Sequence, residues 1–326
     1  MPDLALIEQL DQAIDLMLAG AAPPRPADLT LADLIDVADT LRNLPDERFK
    51  AHLGAELQRR PLMTTSSTAS SAVIHGIMPN IAVPEGAKFI DFLKHTFSAE
   101  ETSRHPHGSG DGFVAIVKIG DSDLLVFGGE SLRGHEGTTF LHVYVKDCDA
   151  TYRLALDSGA VPLAPGFGEP ADRPYGERAA FVSDPFGNQW NIATRFDPSA
   201  KDPMFEDRKD VTIALYQPNA SVLIDFLKRA FGAEEVGPRH EEGGRLGHAF
   251  VRIGKALIEM GDAETGARRP YGFYMYTDDV DAVYHRAVAA GAVSLSPPAD
   301  QAYGDRIAVL QDPSGNTWIA AKTSRT

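Results

Sequence analysis

The chain has 326 residues, 46 acids against 31 Lys and Arg, a formal net charge of −15 at pH 7 and 43 % hydrophobic residues. That composition is globular and long enough for two or three domains. It excludes a membrane span of ~20 apolar residues and argues against a basic nucleic-acid face. The lone Cys148 has no partner for a disulfide or a redox pair.

The N-terminus, MPDLALIEQLDQ, carries acids where a secretory signal carries Lys or Arg, so a reducing cytoplasm is the expected compartment. Residues 1–60 read as a small helical domain. Leu6, Ile7, Leu10, Ile14, Met17 and Leu18 form one helical stripe, and AAPPRPAD breaks it. Thr30 opens a second helix, LADLIDVADTLRNL, and DERFKAHLGAELQRR gives a third. Residues 61–72 are a Ser/Thr-rich linker with too little apolar content to pack.

From residue 73 the pattern becomes strand, helix, strands. IHGIMPNIAV reads as a strand, and EGAKFIDFLKHTF as an amphipathic helix through Phe89, Phe92, Leu93 and Phe97. GFVAIVKIG and DLLVFGG are strands joined by a Gly-Asp-Ser turn. FLHVYV is a strand and DATYRLALDSGA a helix capped by Asp149; RAAFVSD and QWNIAT are strands around the turn DPFGN. The series then restarts with VTIALYQ, SVLIDFLKRAF, GHAFVRIG, ALIEMGD, GFYMYT, DAVYHRAVAAGA, DRIAVLQ and TWIAAKT.

The restart is a duplication. IDFLKHTFSAEE matches IDFLKRAFGAEE at an offset of 134, DATYRLALDSGAV matches DAVYHRAVAAGAV at 132, and YGERAAFVSDPFGNQW matches YGDRIAVLQDPSGNTW at 128. The order is kept and the offset shrinks, as loop deletions between packed elements produce. Two homologous domains are expected, at 73–197 and 208–323. The fold class is therefore α+β: a helical N-terminal domain followed by tandem domains of two βαβββ units each.

These words resemble the vicinal oxygen chelate superfamily, which includes glyoxalase I, the bleomycin-resistance proteins and extradiol dioxygenases. The PhnB-like branch is the nearer likeness. It rests on MPNIAV with FIDFLKHTFSAEE, on GHAFVRIG, on YTDDVDAVYHRA and on the YGDR…DPSGNTW ending, and it spans about three quarters of the chain. The resemblance implies sheets that curl into cups around a ligand, with a divalent metal held by His, Gln or Glu. Carried over one by one, the ligand positions fall near Met78, Leu125 or Val126, Phe140 and Asn191 in the first copy. In the second they fall on Thr212, Glu259, Gly272 and Ile319. Only Glu259 is a good ligand, so no cofactor is expected, with a divalent metal as the alternative.

Other candidates follow from residue type and periodicity. His142 lies two residues past the fifth-strand position and so on the same face. Glu259, inside ALIEM, either lines a wet pocket or faces outward, since burying a lone carboxylate is costly. His248 shares a face with Arg252, and Glu259 with His248 is the candidate metal pair. Arg178 and Arg306 of the YGxR words either fork onto a ligand anion or pair with an acid such as Asp184 or Asp312. Trp190 and Trp318 read as core or cup wall. Tyr274 and Tyr276 read as a pocket wall in the second copy. His105, His107 and His240 fall in polar Gly-rich loops.

Three functions are consistent with this: a metal-independent small-molecule binder of the bleomycin-resistance kind, a metal-dependent lyase, isomerase or dioxygenase, or a regulatory module. The partners expected are a small molecule, no nucleic acid, no membrane, and a second copy of the chain joined through residues 1–60 or through the sheets. If residues 1–60 make that contact, deleting residues 1–65 lowers the solution mass to that of one chain, as light scattering would report.

Overall fold

A computed structural model describes residues 72–322 apart from 109, 135–138, 165, 197–208 and 264–269. The helices expected in 1–60, and nearly all of the linker, lie outside the described residues. The first copy gives β1 (Ile74–Val83), α1 (Gly86–Phe97), β2 (Glu100–Pro106), β3 (Phe113–Ile119), β4 (Ser122–Gly128), β5 (Phe140–Tyr144), α2 (Cys148–Asp157), β6 (Val161–Pro162), β7 (Ala171–Arg173), β8 (Glu177–Ser183) and β9 (Gln189–Arg195). The second gives β10 (Val211–Tyr216), α3 (Ala220–Phe231), β11 (Glu234–Glu242), β12 (Arg245–Ile253), β13 (Ala256–Gly261), β14 (Gly272–Thr277), α4 (Val280–Ala290), β15 (Val293–Asp300), β16 (Arg306–Gln311) and β17 (Thr317–Lys322). Among the described residues no helix is long and apolar enough to cross a membrane.

Two local readings are corrected. The cap of α2 is Asp147, whose carboxylate accepts from the Ala150 amide at 2.9 Å; Asp149 is the second residue of the helix and serves Arg178 instead. His105 and His240 lie on strands β2 and β11, not in loops. The alternation there is masked because both strands sit at sheet edges and are mostly exposed.

The strands form two sheets, and each sheet takes half of each sequence copy. One has eight strands in the order β15-β16-β17-β14-β1-β4-β3-β2; the other has nine, with β11-β12-β13-β10-β5-β9-β8-β6 in order and β7 paired to β8. The seams are antiparallel ladders, β1 with β14 and β5 with β10. Sequence copies and sheets thus divide the chain differently. The described residues all belong to one unit, Ser71–Thr326.

Apolar side chains of the helices and of one face of each sheet form a common core that includes Phe89, Leu93, Phe226 and Leu227. The repeated Asp-Pro-x-Gly-Asn-x-Trp word is part of it. Asp184 accepts from Trp190 Nε1 at 2.9 Å, from Asn188 Nδ2 at 3.1 Å and from the amides of Phe186 and Asn188, both at 2.9 Å. Asp312 repeats the pattern with Trp318, Asn316 and the amides of Ser314 and Asn316. Burial pushes both carboxyls above their ordinary value against the pull of these donors. Each Trp is thereby pinned in the core against a helix phenylalanine, Phe97 at 4.7 Å and Phe231 at 4.8 Å between centroids.

Cys148, buried at the start of α2, donates to the Ile192 carbonyl at 3.2 Å. Burial first, and then the Asp149 charge, push its thiol from 9.0 up to about 12. The folded value lies above the unfolded one, so the stability held by the protonated thiol is complete below pH 9 and is lost as pH rises toward 12. Urea unfolding across that window should show falling stability, and Cys148→Ala should flatten the slope.

Candidate functional site

The concave face of the nine-stranded sheet holds a cavity of about 580 Å³. Strand alternation supplies its wall: Phe140 and His142 from β5, Glu177 and Phe181 from β8, His248 and Phe250 from β12, with Asn191 from β9 and Glu259 from β13. Tyr216, Leu163, His240 and the exposed rings of Phe167 and Tyr175 complete it. Gly261 makes room for one of these rings, since a Cβ there would lie 2.5 Å from the Tyr216 ring.

The floor is polar and buried: His142 is 3 % exposed, Glu177 2 %, Glu259 6 % and Asn191 7 %. His142 stands between the two carboxylates. Its Nδ1 lies 2.9 Å from Glu259 Oε1, and its Nε2 lies 3.5 Å from Glu177 Oε2. The first contact is a hydrogen bond, and the carboxylate acceptor places the proton on Nδ1. Glu177 Oε1 accepts from the Tyr144 hydroxyl at 2.7 Å, and the Tyr144 ring stacks on His142 at 4.4 Å. Arg195 lies 4.0 Å over that ring and opposite Glu177 in the β8–β9 register.

The structure thus brings His142, His248 and Glu259 together, from two sequence copies. The other expected residues lie elsewhere. Arg252 continues the face of His248 but is outside the cavity lining, opposite Glu234 and Leu257 in the ladders. Trp190 and Trp318 are in the core. Arg178 binds Asp149 and Asp172, and Arg306 binds Asp281 and Asp300, so each ties its strand to a helix start; Asp184 and Asp312 serve the tryptophans instead. Tyr274 and Tyr276 belong to the other sheet. There Leu125, Tyr274 and Ala321 form an apolar cluster with Met78, Val114, Ile116, Phe127, Tyr276, Ile307 and Ile319. Leu125, Tyr274, Ile319 and Met78 are the repeat counterparts of Glu259, His142, Asn191 and Thr212. One concave face is polar at its centre, and the other is filled by its own side chains.

Glu177 is a site residue that the sequence pattern does not single out: of YGER only Arg178 stands out by residue type, and the acid beside it does not. The signal was present, since the second copy keeps an acid there, Asp305. A smaller cavity of about 360 Å³ lies near the starts of β1, β4, β10 and β13, where the charged lining residues His75, Asp123, Lys209 and Lys255 are all exposed.

Known proteins match this architecture. The uncharacterized protein Mb0911c of Mycobacterium bovis is 33 % identical over 119 residues, covering 33 % of this chain and 78 % of that protein. A family model described as the glyoxalase/bleomycin resistance protein/dioxygenase superfamily matches residues 211–319. The chain belongs to this superfamily. Glyoxalase I from Zea mays shares the fold over 77 % of this chain and 93 % of its own, with a TM-score of 0.61 at 14 % identity. The superfamily ligand positions regroup across the copies into Thr212, Glu259, Phe140 and Asn191 in the nine-stranded sheet, and Met78, Leu125, Gly272 and Ile319 in the eight-stranded one. Neither set is the superfamily's cage. Among the described residues no three His, Cys, Asp or Glu side chains form a group that could hold a metal. Two buried atoms in the cavity nevertheless make no hydrogen bond, His142 Nε2 and Asn191 Oδ1. A nitrogen and an amide oxygen beside a carboxylate are donors that suit a divalent ion.

Removing one member of a buried ionic pair costs about 3–5 kcal/mol, whereas replacing the set with apolar groups is often neutral. His142→Ala should therefore lower unfolding stability by about that amount in urea. The quadruple variant Glu177→Leu, Glu259→Leu, His142→Tyr, Asn191→Ile, which replaces the whole ionic set with packing groups like those of the other sheet, should unfold no earlier than the parent.

Proposed function

We propose that the chain binds a planar aromatic small molecule in the cup of the nine-stranded sheet, as a PhnB-like or bleomycin-resistance-like member of its superfamily. The supporting observation is the cavity itself. Its volume is in the range of small-molecule sites, roughly 300–1,000 Å³, and six rings wall it: Phe140, Phe167, Tyr175, Phe181, Tyr216 and Phe250. Phe167 and Phe181 are stacked at 4.7 Å, and His248 meets Phe250 edge-on at 4.5 Å. Such walls favour a flat apolar body by burial and ring packing. The Glu177–His142–Glu259 floor fixes its polar end. No step of this binding needs a metal.

A second reading is a divalent-metal-dependent lyase, isomerase or dioxygenase using the same cup, and it is favoured by the unbonded Nε2 of His142. A third, a regulatory or assembly module, draws on residues 1–60, outside the described residues.

Thermal-shift measurements with quinoline, 2-naphthol and flavone test the binding reading. At least one compound should raise the melting temperature, as a ligand of the native state does. Phe181→Leu and Phe250→Leu should each weaken its affinity about tenfold. No shift with any compound, or shifts indifferent to both variants, would reject the cup as an aromatic-ligand site.

A further inference from the structure

We propose that the smaller cavity, of about 360 Å³, is a second ligand site that takes a small organic monoanion, a carboxylate head on a short apolar body. It shares no lining residue with the cup, so it stands whether or not the cup binds an aromatic compound.

The cavity straddles the axis that relates the two sequence copies. At the offset of 134, His75 is the counterpart of Lys209, Met78 of Thr212, Ser122 of Ala256 and Asp123 of Leu257, and both members of each pair line it. One side of this junction is sealed. The Asp210 amide donates to Asp121 Oδ1 at 2.8 Å, the Asp121 amide donates to Asp210 Oδ2 at 3.0 Å, and the Val211 amide donates to Ser122 Oγ at 2.9 Å. On the other side the counterparts of Asp210, Asp121 and Ser122 are Gly76, Lys255 and Ala256. None of these offers a side-chain acceptor, so the equivalent seal cannot form. A Cβ on Gly76 would meet nothing within 4 Å. The junction therefore stays open on that side.

The opening is basic. Lys209 precedes β10 and Lys255 lies in the turn between β12 and β13. His75 is an extra residue in β1, since Ile74 faces Thr277 and Gly76 faces Tyr276 across the β1–β14 ladder. Such a bulge re-aims the side chain it carries, and here it brings His75 to the cavity. Among the described residues Asp123 is the one acid in the lining. Two lysines against one aspartate leave a single positive charge at this spot, in a chain whose net charge is −15. Elsewhere Lys88, Lys94 and Lys228 are held by Glu85, Glu101 and Glu235. Among the described residues no ion pair holds Lys209 or Lys255. Two ammonium groups on flexible stems can converge on one carboxylate as point charges. Met78, Pro79, Val211 and Leu257 make much of the remaining lining apolar, which suits the body of the ligand. The volume lies at the low end of small-molecule sites, roughly 300–1,000 Å³. One surplus charge in an apolar space of that size selects a monocarboxylate over a polyphosphate.

The test titrates the full chain with octanoate by calorimetry, and one octanoate per chain is expected. Lys209→Gln and Lys255→Gln should each weaken it about fivefold, and the double variant about twentyfold. Both lysines are exposed, so the variants should melt with the parent. Asp123→Asn should tighten binding about twofold, as removal of a nearby like charge does. Added NaCl should weaken it. 1-Octanol, with the same body and no charge, should bind about twentyfold more weakly. Phe250→Leu, in the cup, should bind octanoate as the parent does. Absence of octanoate binding, parent-like affinity in the double lysine variant, or equal binding of 1-octanol would each overturn the inference. Loss of octanoate binding in Phe250→Leu would place the anion in the cup and overturn it as well.

Discussion

The floor of the cup depends on a ladder of three residue pairs. Where β10 runs antiparallel to β5, Val211 faces Val143, Thr212 faces His142 and Ile213 faces Leu141. On its other side β10 runs parallel to β13, which places Glu259 next to Ala214. This register alone brings the imidazole of one sequence copy to the carboxylate of the other. A slip of one residue would turn His142 to the helix face and leave Glu259 buried without its partner, since side chains alternate with period two. The ladder is anchored by its neighbours: Leu141, Val143 and Ile213 point the other way, into the common core.

The same register occurs in the other sheet. Met78 faces Tyr274 across β1–β14, and Tyr274 faces Ile319 across β14–β17. Two faces built alike have therefore diverged in content. One spends its centre on apolar packing, the ordinary way to stabilise a sheet interior. The other keeps four buried polar side chains where apolar ones would serve stability as well or better. A buried polar cluster facing an open, ring-lined cavity is what a ligand site requires and what a structural core does not.

The helices and strands were legible because their periodicity is local. The helical stripe of α1, ending in Phe92, Leu93 and Phe97, and the alternation in β12 both follow from side-chain direction along one element. The repeated Asp-Pro-x-Gly-Asn-x-Trp word is turn chemistry, as expected, yet its buried role, a carboxylate gripping the tryptophan six residues on inside the core, depends on packing. The arginines of the YGxR words were expected to reach a ligand or an aspartate of the following turn. They reach helix aspartates 25 and 29 residues away in sequence, a pairing set by how α2 and α4 cross the sheets. Glu177 was passed over because, taken alone, it is one more acid in an acidic chain.

By itself the sequence determined the duplication, the order of elements within each copy and the superfamily, since offsets and periodicities are properties of the chain taken in order. Only the tertiary structure decided that each sheet takes half of each copy. Strand partners separated by more than 60 residues are chosen by ladder hydrogen bonds and core packing, which no local pattern encodes. That choice sorted eight candidate ligand positions into one polar floor and one apolar plug, and it set Glu177, His142 and Glu259 in a line.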